Sequence, residues 1–181
     1  MKDRSEEYVF NLLASCGRNM EFPAVLELER VLSMVGAGDV RAWESGVKGL
    51  IYGYSDLDPK VAVERLRGLL REKPWEFSLL KRVIPIERVT HTDLSSIRRI
   101  CEEVSKGIGR GETYRITVEK RHSELSSREI IKSVAELIDA KVSLEKPDKI
   151  LLIEIVRDRT GISLLDGEKE ILNIQKELLE E

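Results

Sequence analysis

The sequence predicts an α+β chain built from two successive units, and three observations carry that expectation. Short segments with period-two alternation trade places with segments whose apolar residues recur every three or four positions. In the first 83 residues these segments order as β-α-β-β-α-β, the pattern of a ferredoxin-like sandwich of helices on a sheet. The remainder is a second α/β series that ends in a charged helix. We therefore divide the 181 residues into a ferredoxin-like domain, 1–83, and a second domain, 84–181, that includes the C-terminal helix.

In the first unit, Tyr8 to Ala14 alternates as a strand, with Tyr8, Phe10 and Leu12 on one face. Val25, Leu28, Leu32 and Val35 then repeat at helical spacing, with Pro23 near the start and Gly36 at the stop. Val40 to Glu44 and Leu50 to Tyr54 read as two short strands around a Ser45-Gly46 turn. Asp58-Pro59 opens the next helix as N-cap and first helical residue. Leu66, Leu69 and Leu70 mark its buried stripe, and Lys73-Pro74 closes it. Trp75 to Val83 is expected as the fourth strand, and Ile84-Pro85-Ile86 as the crossover into the second unit.

The second unit begins with a helix from about Asp93 to Lys106, capped by Thr92 or Asp93. Leu94, Ile97, Cys101 and Val104 form its apolar stripe. After a Gly107–Gly111 turn, Tyr114 to Lys120 is a strand. Its alternation puts Tyr114, Ile116 and Val118 inward and Arg115, Thr117, Glu119 and Arg121 on the other face. Ser126-Ser-Arg-Glu129 is a capping box for a helix carrying Ile130, Val134, Leu137 and Ile138. Lys149 to Val156 is an almost unbroken apolar run, as in a strand buried on both faces. A strand over Gly161–Leu165 and an acidic amphipathic helix over 168–181, striped by Ile171, Ile174 and Leu178, complete the chain.

Composition narrows the function. Charged residues make up 35% of the chain, above the ~25% usual for globular proteins. Asn occurs only at 11, 19 and 173 and Gln only at 175; abundant Lys, Glu and Arg with so few thermolabile amides fits a thermophilic source. The net charge of −3 is unevenly placed: residues 82–165 carry 16 Lys+Arg against 14 Asp+Glu, residues 166–181 only 2 against 6. Bulk charge therefore does not drive nucleic-acid binding, and a local basic patch is needed for it. The polar start and the lack of a membrane-length apolar run lead us to expect a cytoplasmic protein with no membrane partner.

Motifs for chemistry are sparse. Gly107-x-Gly109-x-Gly111 follows a helix and precedes a strand, the reverse of a dinucleotide fingerprint, so it reads as a helix stop. His91 and His122, the only histidines, lack partners at metal-ligand or catalytic spacing. Cys16 and Cys101 form no paired motif. Ser126 and Ser127 lack a nucleophile elbow, and capping accounts for Ser126. We expect no enzyme, no metal and no cofactor. Trp43 and Trp75 are expected in the core rather than as stacking platforms.

One basic feature stands out. Lys120-Arg121-His122 ends a strand just before a helix N-terminus, where Lys and Arg attract phosphate and free amides add donors. Arg128 lies in the first helical turn, where a cation opposes the dipole unless an external anion is present. Lys149, Arg157 and Arg159 are candidate extensions. Against this, Glu119, Glu124 and Glu129 interleave with the cations, as on an ordinary solvated surface.

These residues carry a resemblance. Arg82-Val-Ile-Pro85-Ile86, Tyr114-Arg-Ile-Thr-Val-Glu-Lys-Arg121, Ser127-Arg128-Glu129-Ile130, Lys141-Val-Ser-Leu-Glu-Lys-Pro147-Asp148 and Ile150-Leu-Leu-Ile-Glu154-Ile155 follow one another as in a THUMP domain, over about residues 82–165. The domain is named from thiouridine synthases, RNA methylases and pseudouridine synthases. Within the family the chain resembles the stand-alone THUMP adaptor of tRNA cytidine acetylation, which has a ferredoxin-like part before THUMP. The resemblance implies a grip on the tRNA acceptor arm and its 3′ end, and a partner RNA cytidine acetyltransferase. By motif position Lys120, Arg121 and Arg128 inherit RNA contact, and Arg82 and Lys149 do so more loosely; with Arg115, His122 and Arg159 they make up the candidate interface. The alternatives are a THUMP subunit of a methylation or thiolation pathway, a protein-interaction module built on the acidic tail helix, and, with least support, a small enzyme. The sequence leaves the oligomeric state open.

Overall fold

A computed structural model of the chain describes residues 9–180. The fold is mixed α/β, with two five-stranded sheets and five α-helices among the described residues. It divides into a first unit, residues 1–86 with 171–181, and a second, 87–170.

The first unit follows the expected ferredoxin-like order. Strands β1 (Leu12–Ser15), β2 (Val40–Glu44), β3 (Leu50–Ser55) and β4 (Arg82–Pro85) alternate with helices α1 (Glu21–Met34) and α2 (Pro59–Glu72). β1 pairs antiparallel with both β3 and β4, and β2 pairs with β3. Leu12, Leu28, Val31, Leu32, Leu66 and Val83 are fully buried in its core. Gly53 stands in the middle of β3 because a Cβ there would lie 2.8 Å from Leu28 Cδ2 and 3.3 Å from Leu12 Cβ. Asp58 caps α2 as expected, its carboxylate accepting from the Lys60 and Val61 amides at 2.9 and 3.3 Å.

Four sequence expectations change here, and a fifth falls in part outside the described residues. Tyr8, in the expected first strand, lies outside the described residues. The fourth strand is not Trp75–Val83: Pro74–Glu76 is a 3-10 turn and pairing begins only at Arg82. The Ile84-Pro85 pair is therefore strand rather than crossover; the tail segment Leu172–Asn173 pairs only with Arg82 and Val83, so Pro85 sits where β4 has a single neighbour. Trp75 is 70% exposed rather than a core residue, while Trp43 is half-buried against Tyr52. Lastly, the tail is not one amphipathic helix of the second domain. It forms a 3-10 turn (Glu168–Glu170), strand β10 (Leu172–Asn173) and a six-residue helix α5 (Ile174–Leu179).

Pairing explains the tail's change of allegiance. Leu172 lies opposite Val83 and is fully buried, and Ile174 joins the same core. Asn173 caps α5 by accepting from the Lys176 amide. Glu177 on α5 is held by ion pairs with Arg67 and Arg71 of α2. The tail thus closes the first unit.

The second unit holds β5 (Arg88–His91), α3 (Leu94–Ser105), β6 (Thr113–Arg121), α4 (Ser127–Ala135), β7 (Lys141–Val142), β8 (Lys149–Val156) and β9 (Arg159–Leu165). Its sheet order is β5-β9-β8-β6-β7. β8 and β9 span the expected apolar runs, and every β8 residue after Lys149 is buried. The short edge strands β5 and β7 carry no period of their own and were not expected. Ile97, Cys101, Ile130 and Val134 of the helices pack on Leu151, Ile153, Ile155 and Ile162. Asp93 caps α3 through the Ser96 amide at 2.7 Å, and that bond holds its carboxyl below the ordinary carboxylate range.

Both cysteines are buried and unpaired, Cys101 completely. Burial raises the Cys16 thiol and pushes that of Cys101 up to about 12. Thiolate is the reactive form, so the folded protein should resist iodoacetamide at pH 8 and take up two adducts per chain only after unfolding in denaturant. Intact-mass measurement checks this; rapid native labelling of Cys101 would contradict the burial.

Candidate nucleic-acid interface

β5, β6 and β8 run in one direction and β9 against them. The last residues of β5, β6 and β8 therefore share one end of the sheet with the first residue of β9. Helix α3 starts just after β5 and α4 just after β6, so both N-termini belong to that end. It gathers His91, Lys120, Arg121, His122, Arg128, Arg157 and Arg159 into a basic rim, with Asp93, Glu124 and Asp158 among them.

The rim cations differ in what they already hold. Arg121 is committed inward: its Nη1 lies 2.5 Å from Glu154 Oε2, and the Glu154 side chain is 1% exposed. Lys120 Nζ donates to the Leu125 carbonyl at 2.9 Å and so pins the turn into α4. Ser126 caps α4 through the Glu129 amide at 3.3 Å, but Glu129 makes no return bond among the described residues. Arg159 Nη1 lies 3.4 Å from His91 Nδ1. Arg128 and His122 are exposed and hold no ion pair or side-chain hydrogen bond among the described residues.

Two expected residues of this unit do not join this end. Lys149 is the first residue of β8, opposite Tyr114, seven strand steps from the level of Arg121. At ~3.3 Å per residue that is about 23 Å. Its ammonium pairs with Asp166 and, at 3.7 Å, with Glu112, and the bond to Asp166 raises its pKa above the usual lysine value. Arg115 lies toward the same far end and is held by the Leu144 carbonyl at 2.9 Å and Glu168 at 3.1 Å. Arg82 belongs to β4 of the first unit. The corrections to Lys149 and Arg115 have one cause: sequence gives residue types but not strand register.

Two features of the rim escaped sequence reasoning. Glu154 interrupts an apolar run, and a carboxylate in a strand buried on both faces must find a donor. That signal pointed to a partner for Arg121. The second is backbone conformation. His122 and Arg157 take φ of 55° and 57°, the left-handed region, which costs a non-glycine residue about 1 kcal/mol.

A family model described as THUMP domain matches residues 91–165. An uncharacterised protein of Methanocaldococcus jannaschii is 26% identical over 129 residues, covering 68% of this chain and 33% of its own length. Among solved structures, a Pyrococcus horikoshii OT3 protein superposes with a TM-score of 0.61 at 18% identity, over 87% of this chain and 54% of its own. A 4-thiouridine synthetase in complex with RNA and ATP gives 0.55 at 13% identity, over 91% and 42%. The TrmN protein of Thermus thermophilus gives 0.54 at 12%, over 84% and 44%. The chain thus spans about a third of the curated relative and roughly half of each of these structures.

Proposed function

We propose that this chain binds RNA in tRNA modification, on the match of residues 91–165 to the THUMP domain. It acts as an adaptor without chemistry of its own. In the fuller reading, the basic rim holds the sugar-phosphate backbone of the tRNA acceptor end, and a separate RNA cytidine acetyltransferase modifies a distant nucleotide. The mechanism is positional: phosphate contacts fix orientation, and orientation sets which nucleotide the enzyme reaches.

One observation carries the reading. Within the THUMP match, the rim presents Arg128 in the first turn of α4, exposed and with no protein partner among the described residues. A cation there opposes the helix dipole, and a phosphate would turn that cost into a contact. The docking alternative has lost its main support, since Leu172 and Ile174 of the tail lie in the core of the first unit.

Binding of a tRNA transcript should fall steeply with salt, with a log-log slope of about −0.7 for each single-strand phosphate contact. Arg128→Glu should weaken binding about tenfold at 0.1 M salt while leaving α4 slightly more stable, since an anion suits a helix start. Fluorescence anisotropy across a salt series, paired with thermal unfolding, reads both effects. Flat salt dependence, or an Arg128→Glu protein with wild-type affinity, would remove the rim as the RNA site.

A further inference from the structure

We infer that His122 and Arg157 form a paired phosphate clamp, with Arg157 a contact outside the strand motif that ends at Arg121. The inference rests on the RNA-binding reading above and goes further by assigning the contact to two specific backbone turns. β6 and β8 are parallel neighbours, and Arg121 lies opposite Val156 at their last shared step. Each strand then runs directly into a left-handed residue, His122 after β6 and Arg157 after β8. The Arg157 amide donates to the Arg121 carbonyl at 2.9 Å, so the two turns are held side by side. Neighbouring strands lie about 4.8 Å apart, which roots the two side chains within reach of one phosphodiester or two consecutive ones.

The conformation is the informative part. Glycine takes a left-handed backbone without the clash between Cβ and the following carbonyl, and it is the usual residue there. At this end of the sheet two adjacent strand ends carry an imidazole and a guanidinium instead. Both are exposed, and neither holds an ion pair or side-chain hydrogen bond among the described residues. Nothing inside the second unit is gained by these side chains. Each left-handed residue is the first one beyond the last shared step of its strand. Arg121 and Glu154 behind them form a fixed floor, because the buried carboxylate already holds that guanidinium. Arg157 supplies the planar donor fork suited to phosphate oxygens.

The test compares Arg157→Gly, Arg157→Lys and Arg110→Gly in binding a tRNA transcript across a salt series, with thermal unfolding of each. Arg110 is an exposed cation at the opposite end of the sheet, in the turn before β6. Arg157→Gly should bind about fivefold more weakly, and its log-log salt slope should fall by roughly one contact, about 0.7 to 0.9. Its melting temperature should hold or rise, because glycine suits the turn. Arg157→Lys should recover most of the slope, and Arg110→Gly should bind as wild type. Wild-type affinity and slope in Arg157→Gly would overturn the clamp and leave the rim reading standing. Equal losses in Arg110→Gly and Arg157→Gly would also overturn it, since bulk charge would then account for both. Failure of the wild-type protein to bind RNA at low salt would overturn the clamp together with the reading beneath it.

Discussion

Replacing Glu27 with alanine is expected to destabilise the first unit by about 3 kcal/mol or more, the largest effect of any single substitution considered. Glu27 lies on α1, and its side chain is almost wholly buried. Its Oε1 accepts from the Ser78 amide at 2.8 Å, the Ser78 hydroxyl at 3.0 Å and the Leu79 amide at 3.1 Å. Its Oε2 accepts from the Leu79 and Leu80 amides at 3.0 and 2.7 Å. One carboxylate thus satisfies three consecutive backbone amides in the loop that enters β4. Hydrogen bonds to a charged group contribute about 1.5–3 kcal/mol each, and a buried amide left without a partner costs about 1–3 kcal/mol. These contributions share one group and do not add fully, which sets the estimate near the lower sum. Glutamine is no remedy, because its NH2 end would face an amide donor on one side or the other. Urea unfolding, followed by far-UV circular dichroism, measures the loss. An unchanged midpoint for Glu27→Ala would mean that the loop does not depend on the carboxylate.

The contrast between Glu27 and the tail shows what the sequence could reveal. Elements whose signal is local were legible: the Asp58-Pro59 start of α2, the Ser126 cap of α4, and the apolar runs of β8 and β9. Elements created by long-range pairing were not. Ile171, Ile174 and Leu178 have helical spacing, yet Leu172 pairs with Val83 across the first unit, and that contact decides the structure of the tail. β5 and β7 exist only because β9 and β6 offer them edges. Trp75 misled because an apolar aromatic is usually buried, and the Pro74 turn instead leaves it exposed.

The same division applies to the interface. Lys120, Arg121, His122, Arg128 and Arg159 were grouped from sequence, and they do share one end of the sheet. Lys149, by its looser motif position, and Arg115 were grouped with them, and register sends both toward the other end. What a cation is free to do depends on its neighbours in space. Arg121 and Arg128 look equivalent in the sequence, but one holds a buried carboxylate and the other faces solvent.

That difference makes Arg121→Ala the second large effect, and its readout is stability. Removing the guanidinium takes a charged hydrogen-bond partner from Glu154, whose side chain is 1% exposed. A bond of that kind contributes about 2 kcal/mol, so the urea midpoint of the second unit should fall accordingly. Arg128→Ala, at an exposed position, should stay within about 0.5 kcal/mol of wild type. RNA binding should rank the two in the opposite sense. Arg128→Ala should reduce the salt slope by about one contact, while Arg121→Ala, assayed well below its melting temperature, should keep the wild-type slope. Arg121→Lys should regain part of the stability, because it restores the charge without the planar fork. Pairing Arg121→Gln with Glu154→Gln should cost less than the two single losses together, the mark of direct coupling in a double-mutant cycle. If Arg121→Ala instead leaves the midpoint in place and flattens the salt dependence, Arg121 must release Glu154 to reach phosphate. The rim would then rearrange on binding rather than meet the RNA as a fixed surface.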